Sequence, residues 1–88
     1  MQKIHFVHGE DRHVRLAIHA TNGEPFLIRE ASFELKCAGE TENTGECAID
    51  GSIIDARISP EKKATYLLLM TYHVADETLV EKIEVVVT

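Results

Sequence analysis

The stretch from Ser59 to Thr88 restricts the possible folds more than any other part of this 88-residue chain. A polar turn, Ser59-Pro60-Glu61-Lys62-Lys63, leads into a run in which Tyr66, Leu68, Met70 and Tyr72 alternate with Leu67, Leu69, Thr71 and His73. Successive side chains of a strand point to opposite faces, so both faces of this strand are largely apolar. From Leu79 a second run puts Leu79, Ile83, Val85 and Val87 on one side, with Glu81 among them, and Val80, Lys82, Glu84 and Val86 on the other. Two such runs with acidic turn residues between them read as an antiparallel hairpin. A tyrosine at the corner that enters the first of these strands matches the last hairpin of an immunoglobulin-like sandwich.

Upstream, residues 4 to 8 form a short strand ending at a turn, Gly9-Glu10-Asp11. Arg12 to Ala20 alternates between Val14, Leu16, Ile18 and Ala20 on one face and His13, Arg15, Ala17 and His19 on the other, the pattern of a half-buried strand. Asn22-Gly23 signals a turn, because both residues tolerate positive φ, and Pro25 closes it. Ala31, Phe33, Leu35 and Cys37 alternate with Ser32, Glu34 and Lys36, which favours a strand. A helix competes for the same segment, since Leu27, Ala31, Leu35 and Ala38 share a helical face and Gly39 stands where a helix would stop.

Gly39 to Glu46 reads as a polar loop, and Asp50-Gly51 as the turn of a hairpin between Cys47–Ile49 and Ser52–Ile58. Ser59-Pro60-Glu61 has the capping chemistry of a single helical turn. About seven short strands with regular turn signals predict one all-β domain over residues 1–88, an immunoglobulin-like sandwich of antiparallel strands. Its expected core is Leu16, Ile18, Phe33, Leu35, Ile54, Ile58, Tyr66, Leu68, Met70 and Ile83.

Fifteen acidic residues against nine basic ones give a formal charge of −6, so a phosphate backbone would meet repulsion over most of the surface. Nucleic acid is not an expected partner. No apolar run approaches the roughly 20 residues that span a bilayer, and the N-terminus lacks the pattern of a signal peptide. The expected site of synthesis and folding is the cytoplasm, with no membrane partner. In that setting Cys37 and Cys47 are expected as two reduced, inward-facing thiols, with a bridge between facing strands as the alternative.

Catalytic chemistry is not expected. His5, His8, His13 and His19 fall on mismatched faces or lie too far apart for the three or four convergent ligands of a metal site. The carboxylate pairs Glu10/Asp11, Glu40/Glu42 and Asp76/Glu77 sit in or beside turns, which rarely give the partly dry cleft that general acid–base work needs. Ser52 and Ser59 have no nucleophile-elbow context, and there is no glycine-rich phosphate loop. The expectation is a non-enzymatic chain with no cofactor and no metal. A sugar-binding module is the alternative, although the chain has no Trp and only two Tyr, both assigned to the core.

The order of signals resembles the immunoglobulin-like domain that begins the baseplate upper proteins of Gram-positive phages and related prophage tail proteins. The residues that carry the resemblance are Gly9-Glu10-Asp11, Asn22-Gly23-Glu24-Pro25, Leu27 to Ala31 leading into Ser32 to Lys36, Asp50-Gly51-Ser52-Ile53-Ile54, Ser59-Pro60, Ala64-Thr65-Tyr66 and the terminal Val85-Val86-Val87. The resemblance implies a structural module that docks a larger protein onto a tail assembly, without catalytic residues, and a final location in a virion or phage-like particle. Family members usually continue past the point where this chain stops.

The candidate site is an interface. With Tyr66 and Leu68 inward, Leu67, Leu69, Val80 and Val86 lie on the outer face of the last two strands, where polar side chains are the norm. They would meet either a protein partner, at this face or by strand addition at a neighbouring sheet edge, or the chain's own N-terminal segment or loops.

Overall fold

The computed structural model describes residues 1–20, 23 and 25–88, and the Asn22 of the expected Asn22-Gly23 turn lies outside them. Eight strands follow one another: β1 (Gln2–Phe6), β2 (Arg12–Ala17), β3 (Ile28–Cys37), β4 (Glu40–Glu46), β5 (Ala48–Asp50), β6 (Ile53–Ile58), β7 (Thr65–Val74) and β8 (Glu77–Val87). They form a five-stranded sheet in the order β1-β8-β7-β3-β4 and a three-stranded sheet in the order β2-β6-β5. This is the all-β sandwich expected from the sequence, with eight strands against the expected seven or so. One pairing departs from the antiparallel expectation. β1 runs parallel to β8, from Gln2 opposite Ile83 to Phe6 opposite Val87.

The inner faces of the two sheets bury Phe6, Val14, Phe33, Leu35, Ile54, Ile58, Tyr66, Leu68, Met70, Ile83 and Val85, and Ile18 and Tyr72 join them. Leu16, expected in the core, is partly buried and packs against it. Strict alternation explains this agreement: β7 has buried residues at every second position from Tyr66 to Tyr72. The segment from Leu27 to Ala38 is strand rather than helix from Ile28 onward, and its period-two pattern wins because β7 and β4 pair with it on both sides.

Four local expectations are corrected. Residues 39 to 46 are not a loop, because Glu40–Glu46 pairs with β3 as an edge strand. The two strands are joined by Ala38 and Gly39, whose φ angles of 51° and 82° are those of a type I′ hairpin turn. Ser59-Pro60-Glu61 starts no helical turn. Residues 59 to 61 are irregular and 62 to 64 form bends, with Pro60 buried, and no helix occurs among the described residues, so none is long and apolar enough to cross a membrane. The first strand begins and ends earlier than expected, at Gln2 and Phe6. Beyond it the pairing continues only as His8 N–H donating to the Thr88 carbonyl at 2.9 Å. The Asp50-Gly51 hairpin is present with its loop one residue later: Asp50 pairs with Ile53, and Gly51 has the positive φ, 60°, at the first loop position.

Two contacts hold the polar β4 in place. Gly45 faces the Phe33 ring, and a Cβ there would lie 2.7 Å from Phe33 Cε1, so the ring occupies the space a side chain would need. Between Leu35 and Lys36 the register shifts, which leaves Glu42 as an extra residue between Thr41 and Asn43. Bulges of this kind re-aim a side chain. Here the Glu42 carboxylate accepts a 2.6 Å hydrogen bond from the Tyr66 hydroxyl and another, 3.2 Å, from the Glu61 backbone N–H.

Tyr66 completes the corner. Its hydroxyl oxygen accepts from the Lys62 backbone N–H at 3.0 Å while donating to Glu42, so the expected bond to the upstream turn is present. Burial, reinforced by the bond donated to Glu42, pushes the Tyr66 pKa up to about 12. Antibody domains carry a bridge cysteine two residues after this tyrosine. This chain has Leu68 there, fully buried.

Candidate functional site

The outer face of the five-stranded sheet carries the expected interface residues. Leu67 and Leu69 are half-buried on β7, Val86 is half-buried on β8, and Val80 is 50% exposed. The register shows what surrounds them. Leu67 lies between Glu84 of β8 and Lys36 of β3, and Leu69 between Lys82 and Glu34. Lys36 and Glu34 pair at 3.8 Å, Glu34 also accepts from the Thr41 hydroxyl at 2.5 Å, and Lys3 reaches Glu84 at 3.9 Å. The aliphatic stems of such side chains cover apolar neighbours while their charged ends stay in water.

The fold therefore brings Leu67 and Leu69 together inside a charged frame. Val86 stands opposite Thr65 and Val80 opposite Thr71, which puts the two valines about 20 Å apart along β8. They are not one patch with each other.

The edge next to the last two strands differs from the expectation. β1 occupies it along Ile83–Val87 and leaves the first half of β8 without a partner on that side among the described residues. The chain's own N-terminal strand thus covers part of the expected strand-addition site. Sequence patterning missed this because a short strand such as β1 does not reveal its partner.

Other candidates have local partners. The His5 ring contacts the Thr88 hydroxyl at 2.6 Å, His8 the Glu61 carbonyl at 3.0 Å and His73 the Thr78 hydroxyl at 3.0 Å. On the outer face of the small sheet Asp55 is shared by His13 at 2.8 Å and Arg15 at 3.0 Å, and Arg57 makes a two-point contact with Asp11 at 3.0 Å. That contact holds the Asp11 carboxyl below its ordinary pKa. Among the described residues no three His, Cys, Asp or Glu side chains group as metal ligands.

Cys37 is half-buried and Cys47 buried, both unbridged. Cys47 N–H donates to the Ala31 carbonyl, so the two thiols belong to opposite ends of β3, about 20 Å apart, where a bridge needs Cα atoms within roughly 7 Å. Burial pushes the Cys47 thiol up to about 11, with Asp55 and Glu46 adding to the shift. A thiol in that state is a poor nucleophile. Tyr66 and Tyr72 are 1% and 4% exposed, which leaves neither ring free to stack on a sugar. Phe26 packs partly against the core and borders a shallow hollow of about 430 Å³ with Ile18, His19, Tyr72, Val74 and Leu79.

No protein-family model matches the chain, and a search of curated proteins gives no match. Among solved structures it is similar to an engineered protein whose crystal structure was determined at 1.98 Å, with a TM-score of 0.74 and 23% sequence identity over 99% of this chain. The chain spans 18% of the length of that protein. At this identity the likeness establishes the all-β sandwich fold alone.

Proposed function

We propose that this domain is a non-enzymatic structural module that works through protein–protein contacts, of the kind that seats a larger protein in a phage or prophage tail assembly. Its expected locations are then the cytoplasm during synthesis and a virion or phage-like particle afterwards. The observation that carries the reading is the pair Leu67 and Leu69 at the centre of a broad outer sheet face, with Val80 and Val86 on the neighbouring strand. Burying two leucines and their charged frame against a partner would remove apolar area from water at roughly 25 cal/mol per Å². A sugar-binding reading has less support, because the rings that would stack on a pyranose face inward.

Size-exclusion chromatography with light scattering, on the wild type and on Leu67→Glu/Leu69→Glu, tests this surface. The leucines point away from the core, so the double variant should fold. If the wild type self-associates, the variant should be monomeric. If the wild type is a monomer, it should capture tail proteins encoded beside it, and the variant should not. A variant that unfolds, or one that keeps every contact of the wild type, overturns the surface assignment.

A further inference from the structure

The ladder on β8 changes halfway along the strand. Thr88 N–H donates to the Phe6 carbonyl while Val87 N–H donates to Ala64, so the even-numbered residues of β8 direct their backbone groups toward β1 and the odd-numbered ones toward the interior of the sheet. The β7–β8 register is unbroken from Thr65–Val86 to Val74–Glu77, so the alternation holds along the whole strand. β1 begins at Gln2, opposite Ile83. Thr78 and Val80 therefore each aim an N–H and a C=O at an edge that no strand occupies among the described residues.

The side chains at this open stretch are unusual for a bare edge. Leu79 is 36% exposed and Val80 50% exposed. Leu79 stands at the mouth of the hollow of about 430 Å³, whose other walls include Ile18, Phe26, Tyr72 and Val74. Glu77 and Glu81, both exposed, flank Leu79 on the same face of the strand, and Glu81 lies beside the Tyr72 hydroxyl. Bare edges are usually blunted by a lysine, a proline or a bulge. This one has no proline and no bulge, and its one lysine, Lys82, stands at the end next to β1.

We infer that the Thr78–Lys82 edge of β8 is a strand-addition site for an extended segment of a basic partner protein, which continues the line of β1 and seats an apolar side chain over the hollow. The inference rests on the protein-docking reading and adds a second surface to it. The occupant follows from the strand. Opposite Leu79 it carries an apolar residue that covers the hollow, opposite Glu77 and Glu81 it carries Lys or Arg, and opposite Thr78 and Val80 its backbone supplies the missing partners. A second copy of this chain is a poor occupant. Antiparallel β8–β8 pairing centred on Val80 would place Glu77 of one copy at the position of Gln2 of the other.

The probe is acetyl-Lys-Thr-Ile-Val-Lys-amide, whose charges suit either strand direction, added at millimolar concentration to the isotopically labelled full chain. Amide shifts should change at residues 78–82 and around Phe26 and Leu79, and Val80→Pro should abolish the response. Proline at 80 removes a donor that no described residue uses, so the variant keeps its fold, as unchanged core resonances would show. No response at millimolar peptide, a response centred on Leu67 and Leu69, or an undiminished response in Val80→Pro each overturns the edge assignment. The two surfaces fail separately: Leu67→Glu/Leu69→Glu should leave the peptide response intact, and Thr78→Pro, which removes the other edge-facing donor at a position outside the docking face, should abolish the peptide response and leave the association tested above intact. Loss of both activities in either variant overturns the claim that the edge is a separate site.

Discussion

β7 and β4 belong to one sheet and share β3 as a neighbour, yet they are strands for different reasons. β7 is apolar at seven of its ten positions and paired on both sides, so its conformation follows from its own pattern. β4, Glu-Thr-Glu-Asn-Thr-Gly-Glu, has no apolar side chain with which to enter a core. It is held by the ladder to β3, by the two positive-φ residues of its turn, by the Phe33 ring over Gly45 and by the Glu42 carboxylate. One strand is specified from within, the other by its surroundings. An edge strand of that kind can be built almost wholly from polar residues, which also makes it a poor template for aggregation.

The largest effect expected from this contrast is at Leu68. Leu68→Ala removes a fully buried side chain from the centre of β7 and should cost about 2–5 kcal/mol in a denaturant titration. Thr44→Ala on the outer face of β4 should cost less than about 0.5 kcal/mol. Equal losses would mean that β4 carries core energy its sequence does not show.

Tyr66→Phe cuts the link between the two strands. It leaves Glu42 without its hydroxyl donor and Lys62 N–H without its acceptor, an expected loss of about 1–3 kcal/mol. The link also predicts a pH dependence. The Tyr66 pKa is raised from an ordinary value of about 10 to about 12 in the folded chain, so its contribution is complete below the lower value and is lost as pH rises through the higher one. Cys47, raised to about 11, acts in the same direction. Urea midpoints measured from pH 9 to 12 should fall less steeply in Tyr66→Phe than in the wild type, and parallel curves would remove Tyr66 from the alkaline transition.

A smaller effect than at Leu68 or Tyr66 is expected at the turn that makes β4 possible. Ala38 holds a φ of 51°, a region that costs a non-glycine residue about 1 kcal/mol and that Asn tolerates better. Ala38→Asn should stabilise the hairpin by about 0.5–1 kcal/mol, read as a higher unfolding midpoint. A lower midpoint would show that the Ala38 methyl makes a contact worth more than the strain.

The same contrast explains what could be read in the sequence. Strands β2, β3, β6, β7 and β8 announce themselves by period-two burial, and the tyrosine corner by the turn that precedes it. β4 was hidden for want of apolar residues, and its turn because Ala-Gly lacks the Asn or Asp that marks a type I′ loop. The parallel docking of β1 is a tertiary choice, invisible in a five-residue segment. At the interface, alternation placed Leu67, Leu69, Val80 and Val86 on one face. Register, which no single strand encodes, surrounded the leucines with charge and separated the valines.

The β1–β8 ladder also bears on how the chain reaches this state. Gln2 must find Ile83 across nearly the whole polypeptide, whereas β7 and β8 meet through a two-residue turn. Pairings of such long range are what slow the folding of β-sandwiches to the millisecond-to-second range. Until that encounter, the Val85-Val86-Val87 flank of β8 is a naked strand edge rich in branched residues, open to any other chain present at high concentration. Docking of β1 ends that vulnerable interval, so slowing it should raise losses to aggregation during refolding well before it lowers the stability of the finished domain.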